Sequence, residues 1–378
     1  MNSKKGSADI MIVLASINKL VNISEFLPVL KHSKYNCKIL VVDEGDGNIR
    51  KKNEKILHAL PHAFYGPRER EEWFAQRFGS MHKVYSSVTP KGCHAETSFG
   101  FLVAYEEEPD LVIELDDDVF PIESHNFVHQ HACNLFNQDG VTVYSTNKWY
   151  NTMENLKLNV HDDVFPRGHP YAQETRNQDY IWKNDGGECV LNMGLWAGYP
   201  DLDALTIVHC CGLDGRGNIK SNDLKRSKVI AGKKTYFAVC SMNTSFAPKI
   251  IPAFYQLYMN FMNINRFDDI WSGILLKKVT DHLDEKICLG KPFLYHDKRA
   301  RNIFKDLKEE LDGIEFNEAL WRIVDSLELE GTSYWDSYDS LAEKMKRRII
   351  NLDPKFKKFV MKQIEKMKLW LKIIDKLR

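Results

Sequence analysis

Leu111-Val112-Ile113-Glu114-Leu115-Asp116-Asp117-Asp118 is the stretch on which the reading of this chain turns. An apolar, β-rich run that closes on three acids reads as a buried strand delivering charge to the open edge of a sheet, where α/β proteins bind ligands. Asp116 and Asp118 can converge at a strand-to-loop bend and offer hard oxygen ligands to Mg2+ or Mn2+, leaving positions for phosphate oxygens. A diphosphate is the partner such a metal implies. Acidic turns after strands are also common as solvated loops, so the triplet needs support from elsewhere.

The first support lies upstream. Ile10-Met11-Ile12-Val13-Leu14-Ala15 and Lys38-Ile39-Leu40-Val41-Val42 are compact apolar runs, each followed by polar or acidic residues, and both read as parallel strands. Between 98 and 105, Phe99, Leu102 and Val103 recur at helical spacing and lead into the strand that carries the triplet. This alternation predicts an α/β fold with an open, mostly parallel sheet flanked by helices, rather than separate all-α or all-β domains. Charged helical sequence takes over near Phe304, dividing the chain into a sheet domain, 1–303, and a helical extension, 304–378. No internal repeat or low-complexity linker interrupts it.

Lysine plus arginine equals aspartate plus glutamate at 52 each, so no global field favours nucleic acid as a partner and any polyanion site has to be local. The eight cysteines show no repeated pair at metal-finger spacing and read as reduced thiols of a cytoplasmic protein. The apolar run 10–17 is too short and too polar in its flanks for a membrane span or a secretory signal.

Further segments follow in a definite order. Ala15-Ser16-Ile17-Asn18 and Val42-Asp43-Glu44-Gly45-Asp46 close the first two strands, and Leu115-Asp116-Asp117-Asp118-Val119-Phe120 closes the third. Then come Pro166-Arg167-Gly168-His169-Pro170-Tyr171, Gly194-Leu195-Trp196 with Tyr199-Pro200-Asp201-Leu202-Asp203-Ala204, and Cys240-Ser241-Met242-Asn243. Arg266-Phe267-Asp268-Asp269-Ile270-Trp271-Ser272-Gly273 and Leu294-Tyr295-His296-Asp297-Lys298 complete the series. In that order they make the chain resemble, nearly end to end, the reversibly glycosylated polypeptides of plants and their microbial relatives, the UDP-arabinopyranose mutases, nucleotide-sugar enzymes of the GT-A type.

The resemblance implies a GT-A-like fold, a UDP-sugar substrate, Mn2+ or Mg2+ as cofactor and a homo-oligomer. It implies interconversion of the pyranose and furanose forms of a UDP-sugar, with reversible self-glycosylation on an arginine. Two rivals fit the same pocket: a metal-dependent glycosyltransferase moving sugar to a cell-envelope or polysaccharide acceptor, and a non-catalytic partner subunit, against which the retention of Asp116, Asp118 and Arg167 speaks.

Residue by residue, the resemblance gives Asp116 and Asp118 to the metal, with His296 standing where the family has a late histidine; a structural hydrogen bond is the other reading of that ring. Asn18, Asp43, Asp46 and Asp117 are implied on the nucleotide side, although Asp43 and Asp46 also suit helix capping. Arg167 matches the arginine that becomes glycosylated. It could instead be a fork gripping the diphosphate. Asp269 is the candidate base facing the acceptor side, with Asp268 beside it, although paired acids also stabilise a helix N-terminus. Trp196, and Trp271 with it, could stack on sugar or uracil, or belong to the core. Asp201 and Asp203 suit sugar hydroxyls, and Asn243 falls in a matching motif.

Departures from the plant pattern occur at Lys91-Gly92-Cys93-His94-Ala95-Glu96, where an arginine is absent, and over 171–187, which flanks the expected sugar pocket. They bear on which sugar is bound. Near the C-terminus Phe356, Phe359, Val360, Ile364, Met367, Leu371 and Ile374 recur at helical spacing with lysines between them. This basic amphipathic helix is expected to pack on its own catalytic domain or another subunit, with peripheral contact to the cytosolic face of an anionic membrane as the alternative.

Overall fold

Asp9–Ser16, Asn36–Asp43 and Leu111–Leu115 form adjacent parallel strands, with Asp9–Ser16 in the middle. Their register pairs Ser16 with Asp43, so the polar residues after all three strands gather at one edge of the sheet. The computed structural model describes residues 7–122, 126–160, 164–259, 261–262 and 264–378. From one margin inward the sheet runs His62–Tyr65, Asn36–Asp43, Asp9–Ser16, Leu111–Leu115, Asn243–Phe246 and Leu191–Gly198. It continues through Ile287–His296, Val229–Ala231 and Val141–Ser145 to Tyr180–Lys183. The four strands at the first margin are all parallel, Asn243–Phe246 is antiparallel to both its neighbours, and Leu191–Gly198 and Ile287–His296 are parallel to each other.

Helices cover the sheet as the alternation predicts. Thr97–Glu107 buries Phe99, Phe101, Leu102 and Val103. Its approach to the sheet is close: a Cβ at Gly100 would stand 2.4 Å from Val13 Cγ1. The long strand Ile287–His296 ends by pairing His296 with Val119 of the short strand Val119–Phe120, which draws a histidine from late in the chain onto the loop carrying the acidic triplet.

The helical part consists of Ile303–Asp325, Tyr334–Arg348 and Pro354–Leu377. In the last of these, Phe356, Phe359, Val360, Ile364, Met367, Trp370, Leu371 and Ile374 are all buried, each large side chain contributing about 1.5–3 kcal/mol by leaving water. Trp370 Nε1 donates to the Ile251 carbonyl at 3.1 Å, and Phe359 stacks on Phe261 with ring centroids 5.0 Å apart. The apolar stripe therefore packs on the protein's own sheet domain. The apolar face of this helix is thus covered within the fold. Among the described residues no helix is long and apolar enough to cross a membrane. None of the eight cysteines is joined in a disulfide.

Candidate active site

At the sheet edge a cavity of about 500 Å³ opens beside the ends of the central strands. Asp116, Asp118, Arg167, Asp201, Asp268, Asp269 and His296 all line it. Its acidic wall is built by the triplet. Asp116 projects into the cavity, its backbone N–H bonded to the Met242 carbonyl at 3.0 Å. Asp117 turns back instead, accepting from Ser16 Oγ at 2.6 Å, Asn18 Nδ2 at 2.9 Å and Arg299 Nη2 at 3.1 Å. Asn18 thus braces the triplet from the first strand.

His296 Nδ1 lies 2.5 Å from the Tyr199 carbonyl. A carbonyl only accepts, so Nδ1 donates to it and Nε2 is the ring nitrogen turned to the acidic wall. Nε2 faces Asp118 Oδ2 at 3.8 Å, while Asp118 Oδ1 is buried with no hydrogen-bond partner. Burial works to raise Asp118, but His296 and Arg299 outweigh it and hold the carboxylate below its ordinary range. Carboxylate oxygens with one imidazole nitrogen suit Mn2+ or Mg2+. Among the described residues no group of three such side chains stands ready as a closed metal cage; the donors fit a cation that arrives with part of its shell supplied by a phosphate.

Arg167 forms the second centre. Its backbone N–H donates to the Asp201 carbonyl at 2.9 Å, and the next residue, Gly168, has φ +87°, with Ile270 only 2.5 Å from where a Cβ would be. The side chain is spoken for on every side. Nε donates to Asp201 Oδ2 at 3.0 Å, Nη2 lies 2.9 Å from the same oxygen and 3.5 Å from Asp269 Oδ2, and Nη1 donates to the Arg266 carbonyl. Burial opposes charge on Asp201, but Arg167, Lys298 and Arg266 hold it well below the ordinary aspartate value. Asp269 behaves oppositely: burial, with Asp268 and Asp201 nearby, prevails over Arg167 and lifts it to about 6. Cys240 lines the same space, where burial, with Asp201 and Asp269, pushes its thiol far up.

A residue to which the sequence reading assigned no role joins the two centres. His94 Nδ1 is 2.8 Å from Asp268 Oδ2, and Nε2 is 3.6 Å from Asp116 Oδ1. Desolvation opposes its charge, yet Asp268 and Asp116 together raise its pKa well above the ordinary histidine value. His94 falls in the 91–96 segment that departs from the plant pattern, which was the available signal. Arg266, Lys298, Arg299 and Arg301 also line the cavity, and the first two lie within quoted motifs.

Other expected site residues sit elsewhere. Asp46 caps the helix Gly47–Leu57, accepting from Asn48 and Ile49 N–H. Asp203 caps Ala204–Cys211 and takes a 2.7 Å hydrogen bond from Tyr171 Oη. Asp43 is buried at its strand end, accepting from Gly45 N–H. Asn243 Oδ1 is 3.0 Å from His131 Nε2 under the sheet. Trp196 and Trp271, 1% and 0% exposed, belong to the core. None of these six lines the cavity.

The sequence pattern described as Reversibly glycosylated polypeptide matches residues 5–377. The chain belongs to that family. Similar plant members include Probable UDP-arabinopyranose mutase 4 of Arabidopsis thaliana, 25% identical with 98% of this chain and 91% of the relative covered. Probable UDP-arabinopyranose mutase 1 of Solanum tuberosum is 29% identical, over 97% and 90%. Among solved structures, glucosyl-3-phosphoglycerate synthase from Mycobacterium tuberculosis in complex with Mn2+, UDP-glucose and phosphoglyceric acid is similar at a TM-score of 0.38 and 10% identity, over 82% of this chain and 79% of that one. As a reversibly glycosylated polypeptide, the chain places the arginine of the Arg167-Gly168-His169-Pro170 segment inside its cavity.

Proposed function

We propose that the protein is a nucleotide-sugar mutase interconverting the pyranose and furanose forms of a UDP-sugar, with Arg167 taking the sugar transiently onto its guanidinium. The observation that carries the reading is Arg167 held between the buried carboxylates Asp201 and Asp269 in the same cavity as Asp116 and Asp118. The names of the plant relatives support an arabinose-type sugar. Guanidinium is a poor nucleophile because it keeps its proton. Asp269, with its pKa lifted to about 6 and its Oδ2 3.5 Å from Nη2, is placed to take that proton.

In the covalent step the bond from the anomeric carbon to UDP breaks, UDP leaves with the electron pair, a carbon–nitrogen bond to Arg167 forms, and the displaced proton passes to Asp269. The lone pair on the glycosylated nitrogen then expels the ring oxygen from the anomeric carbon, that oxygen takes up the proton held by Asp269, and a different hydroxyl closes on the same carbon and returns its proton to Asp269, changing the ring size. Return of UDP reverses the first step. Asp201 holds the guanidinium in place throughout. When bound at Asp116, Asp118 and His296, Mn2+ or Mg2+ supplies positive charge to the departing diphosphate.

The test is incubation of the purified protein with a panel of nucleotide sugars and Mn2+, resolving products by anion exchange. Interconversion of UDP-arabinopyranose and UDP-arabinofuranose with the nucleotide sugar conserved is expected. Release of free UDP that depends on an added glycan acceptor, with no interconversion, would move the assignment to a glycosyltransferase.

A further inference from the structure

Five permanently or ordinarily cationic side chains line the cavity, and four are already committed. Arg167 is held by Asp201, Asp269 and the Arg266 carbonyl. Arg266 Nη1 stands 3.3 Å from Asp306 Oδ2 and Nε 3.2 Å from Glu310 Oε1. Arg299 donates to Asp117 and Arg301 to Asp306. Lys298 is different: it is 8% exposed, it lines the cavity, and among the described residues its ammonium makes no hydrogen bond or ion pair. A buried charge without a partner is costly, and the acids that act on it through space, Asp201 and Glu310, are engaged by Arg167 and Arg266.

From this distribution we infer that Lys298, and not Arg167, is the cation that receives the diphosphate of the nucleotide sugar. The assignment rests on the nucleotide-sugar reading of the cavity and divides labour within it. Arg167, with Nε and Nη2 on Asp201, Nη2 also facing Asp269 and Nη1 on the Arg266 carbonyl, keeps one of its five N–H groups uncommitted, offers a phosphate no pair and stays with the sugar. The Lys298 ammonium keeps three donors for phosphate oxygens. It follows His296 by two residues in the chain, which puts the cationic donor beside the acidic wall where a metal-bound diphosphate would lie.

Calorimetry with UDP and with uridine, in the presence of Mn2+, tests the assignment on the full chain. The parent should prefer UDP. Lys298→Met should lose roughly tenfold or more of its UDP affinity, the scale of a hydrogen bond to a charged group, while uridine affinity holds. Unchanged uridine binding also shows that the variant is folded, and Lys298→Arg should restore much of the UDP preference. Arg167→Lys should leave the ratio of UDP to uridine affinity close to the parent's. If the parent prefers UDP and Lys298→Met keeps that preference, or if Arg167→Lys is the variant that loses it, the assignment is overturned while the nucleotide-sugar reading stands. A parent that binds neither compound overturns both.

Discussion

Asn317 lies in the helical part, well away from the acidic triplet in sequence, yet the active site leans on it. It is 2% exposed. Its Nδ2 donates to the Gly168 carbonyl at 3.0 Å, next to Arg167, and its Oδ1 accepts from Trp271 Nε1 at 3.0 Å, two residues beyond Asp269. Asn317→Leu keeps the number and branching of side-chain heavy atoms but strands two buried polar groups. At roughly 1–3 kcal/mol for each group left unpaired, the unfolding free energy should fall by about 2–6 kcal/mol. Native domains hold about 5–15 kcal/mol, so the variant should remain folded without denaturant while its urea midpoint drops at an unchanged slope. Loosening the Gly168 carbonyl also frees the backbone beside Arg167, and a displacement of ~1 Å can cost up to about a hundredfold in rate. Labelling from radiolabelled nucleotide sugar should therefore slow by at least tenfold. A midpoint and a labelling rate both matching the parent would refute the claim that the helical part holds Arg167 in place.

Four further outcomes are expected. Asp118→Asn should abolish turnover and the enhancement of UDP binding by Mn2+, read by calorimetry, with His296→Ala weakening the metal effect less; equal UDP affinity with and without metal in the parent would exclude the site. Arg167→Lys keeps the charge but loses the planar fork, so protein labelling and interconversion should both vanish; parental interconversion would remove the arginine from the mechanism. The free enzyme's kcat/KM should climb as pH rises through about 6, where Asp269 loses its proton, and Asp269→Asn should lack that limb. Because the folded pKa of Asp269 is raised, its stabilising contribution is full below the unfolded value and lost as pH rises through about 6, so Asp269→Asn should gain stability relative to the parent above pH 6, measured by urea titration at pH 5 and 8.

The fold was legible because the first three strands wear their burial on the surface of the sequence: runs such as Ile10 to Ala15 are continuous in apolar residues, as a strand covered on both faces must be. The site was legible where its residues sit at strand ends or in compact motifs, as Asp116, Asp118, Arg167, Asp269 and His296 do. Asp46 and Asp203 show the limit, since an acid before a helix looks the same whether it binds a ribose or caps the helix. His94 and the cation wall show another. Nothing in the spacing of residues 94, 116 and 268 says that they meet, and nothing in Lys298 says that its neighbours' carboxylates are already taken; both facts exist only after the sheet and the helix Ile303–Asp325 have packed.

That packing also has a consequence for biosynthesis. Asp306, Glu310 and Asn317, which steady Arg266 and the Gly168 carbonyl, are translated after every strand of the sheet. A ribosome-bound chain therefore exposes Arg266 and Gly168 before the helix that steadies them has emerged. The backbone on either side of the guanidinium, at Gly168 and Arg266, is thus fixed only once Ile303–Asp325 has docked, although Asp201 and Asp269 are already in the chain.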